Sequence, residues 1–300
     1  MAVYNEERFL AESVDSVLAQ SFADFELIIA DDGSSDGTAA IARDYAQREP
    51  GRVRVLRGER NRGKQFVQNE ALAVSRGELI AWLDGDDVML ADKLERQVRA
   101  LDADPQAAGC THDAEVFEAL GGRVLGRFSQ LANGRPLRSG GVEMWFDPTY
   151  RMLPSATMIR SSLRPPAGFD ERLTYTNDWL FDIEVFRHGR CIAIDDVLVR
   201  YRRHDANLSA QGERSGATLE ETLMAMAIVT ARYPQLQRGA RTVGAAVLLG
   251  AARRRARGGD PRAALRYARA AWGLGGGAGM LGVARATLRP SPRGPGAKRR

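Results

Sequence analysis

The sequence predicts an α/β fold in which a mixed, mainly parallel sheet is flanked by helices over residues 1–210. A helical appendage follows over 216–289, with a disordered basic tail over 290–300. Three observations carry this expectation. Short apolar runs alternate with segments of helical period as far as Leu101, the pattern of a parallel sheet with helical crossovers. Acidic and turn-forming clusters follow those runs, at the carboxyl ends of the strands, where ligands of such sheets sit. Beyond Gly216 the chain turns to alanine and arginine with helical patterning throughout.

Taken in order, Leu10, Val14, Val17 and Leu18 recur at helical spacing, and the apolar run 25–30 reads as a buried strand. The turn formers Asp31-Asp-Gly-Ser-Ser-Asp-Gly-Thr38 end that strand, with Asp36 placed to cap a helix carrying Ile41, Ala42 and Tyr45. Residues 53–56 read as a strand, 64–75 as a helix, 78–83 as a strand and 92–101 as a helix with Leu94, Val98 and Leu101 on one face. From about Cys110 to His204 the pattern is mixed: strands near 108–117, 155–159 and 191–200, and a helix over 178–187. Asp260-Pro261 supplies an N-cap and first-turn proline for a final helix. The opening Met1-Ala-Val-Tyr4-Asn leaves the strand that should carry Tyr4 to the crevice nearly absent. A truncated or mis-assigned start is expected, the alternative being a short strand.

With 300 residues, 44% hydrophobic and 27% charged, the chain has the composition of a large globular domain with an appendage, not of a disordered or fibrous protein. Its two cysteines, Cys110 and Cys191, are far apart and without metal-ligand spacing, so neither a disulfide framework nor a zinc site is indicated, which suits a reducing compartment. No stretch reaches the roughly 18 apolar residues of a spanning helix. Glu6, Glu7 and Arg8 interrupt any leader-like run. A cytoplasmic location is expected. The net charge of +5 is concentrated after residue 252, where many arginines face the single acid Asp260. That surplus suits anionic lipid headgroups or another polyanion, or serves only solvation; nucleic acid is not the expected partner.

An Asp-x-Asp pair at a strand end, as in Asp84-Gly-Asp86-Asp87, suits a hard divalent cation that takes carboxylates and substrate phosphate oxygens. Alone it is as well explained by a helix cap or turn. Its neighbours change the weighing. Tyr4-Asn-Glu, the run from Asp31 to Thr38, Asn61-Arg-Gly-Lys64 with Asn69 beyond, and Gly77-Glu-Leu-Ile-Ala-Trp-Leu-Asp-Gly-Asp-Asp87 occur in this order, each at a strand's carboxyl end. In these motifs the chain resembles the inverting family 2 glycosyltransferases of the GT-A (Rossmann-like) fold, over about residues 1–205.

The resemblance implies a role for each position. Tyr4 stacks on the nucleotide base, or is a core tyrosine. Asp31 or Asp32 accepts a base N–H, which favours uracil or thymine and so a UDP- or dTDP-sugar. Asp84 lies near the ribose, and Asp86 coordinates the Mn²⁺ or Mg²⁺ that bridges the diphosphate. Asp87 is expected to cap the following helix. Arg62 and Lys64, on a glycine-containing loop, face the diphosphate or are merely solvated. Gly168-Phe-Asp-Glu-Arg-Leu and Asn177-Asp-Trp179 resemble the second acidic motif, in which Asp178 is the base that deprotonates the acceptor hydroxyl; Asn177 stands where the family often has an acid. The alternative for Asp178 is stabilisation of a helix dipole. Arg200-Tyr-Arg-Arg-His204, continuing through Asn207, resembles the closing segment, with His204 reaching the metal or the diphosphate. His112 and His188 read as ordinary strand and helix-end residues.

The implied activity is inverting transfer of a sugar from a nucleotide-sugar donor to a glycan or lipid-linked acceptor, in cell-envelope or exopolysaccharide assembly. A catalytically degenerate nucleotide-sugar-binding or scaffold protein is the alternative. A nucleotidylyltransferase would need a glycine-rich loop where Tyr4-Asn-Glu-Glu-Arg stands. The Gln-x-x-Arg-Trp motif of processive synthases is absent, which favours transfer of single sugars. In the final helix Leu265, Ala268 and Trp272 share one face and Arg262, Arg266 and Arg269 another. Such a helix gives peripheral contact with a membrane, or forms a hairpin against Val243, Val247, Leu248 and Ala251 with its arginines in water.

Overall fold

The computed structural model describes residues 1–205 and 207–287. Strand β1 (Ala2–Val3), helix α1 (Leu10–Leu18), β2 (Leu27–Asp31), α2 (Thr38–Arg48) and β3 (Val53–Arg57) form the alternating first half, and β1, β2 and β3 lie side by side in parallel. The register sets Val3 opposite Asp31 and Asp31 opposite Arg57. The turns that follow the three strands therefore emerge at one edge. Asp36 caps α2 as its position predicts, its Oδ1 accepting the Thr38 N–H at 3.0 Å.

Helix α3 (Lys64–Val74) leads to a second, six-stranded mixed sheet of β4 (Leu79–Ala81), β5 (Val88–Met89), β6 (Gly109–Glu118), β7 (Val124–Arg127), β8 (Met158–Arg160) and β9 (Cys191–Arg203). Its order is β4-β8-β6-β9-β5, with β7 beside β6. Only β6 and β9 run parallel; β4, β5, β7 and β8 pair antiparallel. Helix α4 (Lys93–Asp102) precedes β6, α5 (Phe128–Asn133) follows β7, and α6 (Asn177–Phe186) precedes β9. The strand expected at 155–159 starts only at Met158, because Pro154–Ala156 first make a 3₁₀ turn.

One core lies under β1–β3, where Leu10, Val14, Leu27, Ile29, Val53 and Leu83 are buried. The other is aromatic: Trp145, Phe146, Phe169, Phe181 and Phe186 surround α6. Helices α8 (Ala217–Arg232) and α9 (Gln237–Arg257), reached through α7 (Leu208–Ser215), close this second core with Met226, Val229 and Val243. The approach is close enough that a Cβ on Gly239 would sit 2.5 Å from the Phe146 ring. Helix α10 (Pro261–Thr287) is capped by Asp260, whose Oδ1 accepts the Ala263 N–H at 2.9 Å. It forms a hairpin with α9, one of the two arrangements drawn from the sequence, through Ala245, Leu248 and Ala271, of which Leu248 belonged to the face anticipated there. Val243 and Val247 turn instead to the aromatic core, which corrects the packing face drawn from the sequence. The tail expected at 290–300 lies outside the described residues. No helix among the described residues is long and apolar enough to cross a membrane.

Lys93 of α4 is fully buried, and its Nζ donates to Gln97 Oε1 at 2.8 Å. Burial pushes its pKa down to about 7 against 10.5 for a free lysine, a shift that the Cys110 thiol opposes only in part. Between those two values the unfolded chain binds more protons than the folded one, so stability rises with pH across the window. Thermal unfolding between pH 7 and 9 should show this rise, and Lys93→Met should flatten it.

Candidate functional site

The turns at the common edge are stitched to one another. Asn5, the one described non-glycine residue with positive φ (55°), donates its N–H to Ser34 Oγ at 2.9 Å, and its Oδ1 accepts the Ser35 N–H at 2.9 Å. Glu6 N–H donates to Thr38 Oγ1 at 2.7 Å. Tyr4, just before, is 43% exposed, so a ring predicted to be either core or stacking platform is free of the core.

Asp31 and Asp32 part company. Asp32 accepts the Arg62 and Gly63 N–H groups, one on each carboxylate oxygen, both at 2.8 Å; it shapes the loop from Asn61 to Lys64. Asp31 Oδ1 accepts the Ser34 N–H at 2.9 Å. Its Oδ2 is buried without a hydrogen-bond partner, with Arg57 Nε 3.7 Å away.

The two cations of that loop separate as well. Arg62 pairs with Glu70 and lies over the Phe66 ring, 5.3 Å from its centroid, so the structure does not bring it to the acidic turn. Lys64 Nζ lies 2.5 Å from Asp84 Oδ1. Burial alone would lower its pKa, but Asp84, Asp178 and Asp86 together raise it. A lysine at the head of α3 thus joins carboxylates from two distant turns.

The turn from Asp84 to Asp87 crosses β1 so tightly that a Cβ on Gly85 would sit 2.7 Å from Val3 Cγ1. Asp86 Oδ2 lies 2.8 Å from His204 Nε2 and accepts from Asn207 Nδ2 at 3.1 Å. Asp87 does not cap a helix, since α4 begins only at Lys93. It is buried behind the turn, accepting from Ser155 Oγ at 2.6 Å and the Arg202 N–H at 3.0 Å. Burial, then Asp86 and Asp84, push its pKa well up.

Glu6, Asp86 and His204 present ligand atoms within 4.8 Å of one another, as do Asp84, Asp86 and Asp87. Both oxygens of Asp87 already accept hydrogen bonds, so the first set is the better donor group. Burial, with Asp86 and Asp84 beside it, pushes Glu6 up to about 8, a crowding of negative charge that a bound cation relieves. Two carboxylates with one imidazole could hold a divalent metal ion.

Asp178 stands in the first turn of α6, its Oδ1 accepting the Trp179 N–H at 2.7 Å. Burial raises its pKa while Lys64 opposes the shift. Asn177 bonds Gln68 Oε1 at 3.2 Å. The segment leading into α6 is held by Glu221 of α8, whose Oε2 accepts the N–H groups of Thr174, Tyr175 and Thr176 at 2.8, 2.6 and 3.2 Å. Asn69 of α3 bonds both the N–H and the C=O of Phe169. His112 is buried in β6 and His188 follows α6, as expected.

Lys64, Asp84, Asp86, His204 and Asp178 thus converge, and Tyr4 and Asp31 lie on the adjoining turns. Sequence reasoning passed over Glu6, although it completes the Tyr4-Asn-Glu motif. Ser155 and Glu221 carried no local signal, and Arg202, though inside the closing motif, carried no sign of its partner, since each acts on a residue at least 45 positions away.

Turns converging on an acidic, lysine-bearing edge of an α/β sheet define a GT-A-type glycosyltransferase architecture. Residues 1–163 match the family model described as Glycosyl transferase family 2, and the chain belongs to that family. EpsE of Bacillus subtilis is 34% identical over 170 residues, 55% of this chain and 61% of EpsE, so the match spans less than two thirds of that relative. The solved structure of S. aureus TarS 1-349 with UDP-GlcNAc superposes with a TM-score of 0.63 at 19% identity, over 83% of this chain and 70% of that one. The mannosyltransferase PcManGT of Pyrobaculum calidifontis, with GDP-Man and Mn²⁺, gives 0.61 at 19% identity over 97% and 80%. Both share the fold.

Arg202 donates from Nε to Asp86 O at 2.7 Å and pairs with Glu12 of α1. Glu12 is half exposed, so what Arg202 contributes is mainly its buried hydrogen bond to the turn, about 1–3 kcal/mol. Arg202→Ala should lower the unfolding midpoint accordingly, and calorimetric titration with Mn²⁺ should show weaker binding because the turn bearing Asp86 loses its anchor.

Proposed function

We propose that the chain is an inverting, divalent-metal-dependent glycosyltransferase that moves a sugar from a UDP- or dTDP-sugar to a hydroxyl of a glycan or lipid-linked acceptor. Assembly of a cell-envelope or exopolysaccharide glycan is the context proposed for it. The observation that carries this reading is the convergence of Lys64, Asp84, Asp86 and Asp178, residues of three separate turns that feel one another's charge. Residues 1–210 form the catalytic part and 216–289 the helical part in this reading, with the enzyme on the cytoplasmic side.

In the donor half, Tyr4 offers an exposed ring for stacking on the base, and the unbonded Oδ2 of Asp31 suits an N–H of uracil or thymine. Asp84 lies near the ribose. Glu6, Asp86 and His204 would hold the cation, which when bound offsets the charge gathering on the departing nucleoside diphosphate. Lys64 adds a positive charge beside it, held by its ion pair with Asp84 in a partly buried cluster. Arg62 is left to shape the loop's outer face.

In the acceptor half, Asp178 takes the proton of the attacking hydroxyl. A base pushed above the ordinary carboxylate range is better matched to neutral pH. The acceptor oxygen forms its bond to the anomeric carbon as the bond to the diphosphate oxygen breaks, so one displacement inverts that centre. Asn177 in place of an acid leaves this carboxylate in position, which favours an active enzyme over a degenerate binding protein.

A calorimetric screen of UDP-, dTDP- and GDP-sugars with and without Mn²⁺ tests the donor half: a uridine or thymidine donor should bind only with metal, and Asp86→Ala should abolish binding. Preference for GDP-sugars would overturn the base assignment. Asp178→Asn should lower kcat by about 10²–10⁴-fold with donor affinity retained. Because only the ionised form of Asp178 accepts a proton, wild-type kcat should fall with acidification through a pKa above the ordinary 3.8. Proton NMR of the product should show the inverted anomer.

A further inference from the structure

The hairpin of α9 and α10 leaves an outward face that the packing does not use. Ala263 and Ala271 are 4% and 0% exposed against α9, whereas Leu265 and Trp272 are 52% and 60% exposed. Seven residues apart, these two stack two turns along one side of the helix. Arg262 and Arg269, three before and four after Leu265, lie beside it rather than on a separate face as drawn from the sequence, and Arg266 lies further round on the same flank. Ala268, drawn from the sequence as part of the apolar face, is half-buried. Forming a hairpin and presenting an amphipathic surface are therefore not alternatives here, because small residues make the hairpin and the large apolar ones face out.

The charge around this face has one sign. Asp260 is the single acid from residue 253 to the end of the chain, and it is occupied as the cap of α10. Arg254, Arg255 and Arg257 end α9 next to it. An indole more than half exposed beside arginines is the arrangement found where one side of a helix meets hydrocarbon and its flanks meet headgroups.

We propose that the outward face of α10 docks on the surface of an anionic lipid bilayer, with Leu265 and Trp272 entering the headgroup–acyl boundary and Arg262, Arg266 and Arg269 pairing with lipid phosphates. This names the surface behind the proposed peripheral membrane contact and rests on the reading of the chain as an enzyme with a lipid-linked acceptor only for its biological purpose. It does not depend on any residue of the acidic site.

Sedimentation of the full chain with phosphatidylglycerol-containing vesicles and with phosphatidylcholine vesicles, at low and moderate salt, tests it. The chain should pellet with the anionic vesicles alone, less so as salt rises. Replacing all three arginines by Gln should weaken partitioning by about 10²-fold, and Leu265→Ser with Trp272→Ser should weaken it at every salt concentration. Absence of binding, or equal binding to neutral vesicles, overturns the proposal. So does loss on arginine replacement with no effect of the serine pair, which would indicate contact with a soluble polyanion. Metal-dependent donor binding, measured in parallel, should be the same in all variants, so failure of the membrane proposal and failure of the enzymatic reading are separately visible.

Discussion

Behind the acidic turn, β9 grips Asp87. Its Arg202 N–H and the Ser155 hydroxyl both donate to that buried carboxylate, while the Arg202 guanidinium donates to Asp86 O, meets Glu12, and lies 4.7 and 4.6 Å from the ring centroids of Phe9 and Phe117. Segments from α1, the turn after β4, the 3₁₀ turn at Pro154–Ala156 and the last strand thus meet through two neighbouring residues, Asp87 and Arg202. A buried carboxylate without such donors would cost several kcal/mol. Because Asp87 is satisfied at the back, Asp84 and Asp86 are turned to the front, toward Lys64 and His204.

The opposite wall has a comparable anchor. Glu221 collects three consecutive N–H groups in the segment that enters α6, which fixes the approach of the chain to that helix. This carboxylate comes from α8, so the helices after Gly216 contribute to the orientation of Asp178 as well as to the aromatic core. The helical part is structurally continuous with the site, and α10 alone stands outside that contact, touching the rest mainly through α9.

Charge within the cluster is unbalanced by construction. Glu6, Asp84, Asp86 and Asp178 face the partly buried ammonium of Lys64, and the effect is visible in the raised positions of Glu6 and Asp178 and in the stabilised cation of Lys64. Such an arrangement is poorly suited to standing alone in a low dielectric and well suited to receiving positive charge.

The elements were legible because periodicity is local: the apolar spacings that mark α1, β2, β3, α3 and α4 lie within single segments, and the caps at Asp36 and Asp260 act two or three residues away. The motifs were legible for the same reason, and they identified the family and most of the residues that converge. What composition and spacing left open was the partner of each side chain. Asp31 and Asp32 are adjacent and chemically identical, yet only folding hands Asp32 the N–H groups of Arg62 and Gly63 and leaves an Asp31 oxygen unbonded. Arg62 and Lys64 share a loop, and the position of Glu70 nearly two turns up α3 draws the first away. Asp87, Arg202 and Glu221 acquire their roles through contacts across 45 to 190 positions, which depend on how strands and helices stack. The sequence alone determined which groups were present and which segments would carry them; tertiary packing decided which were already satisfied and which remained available for chemistry.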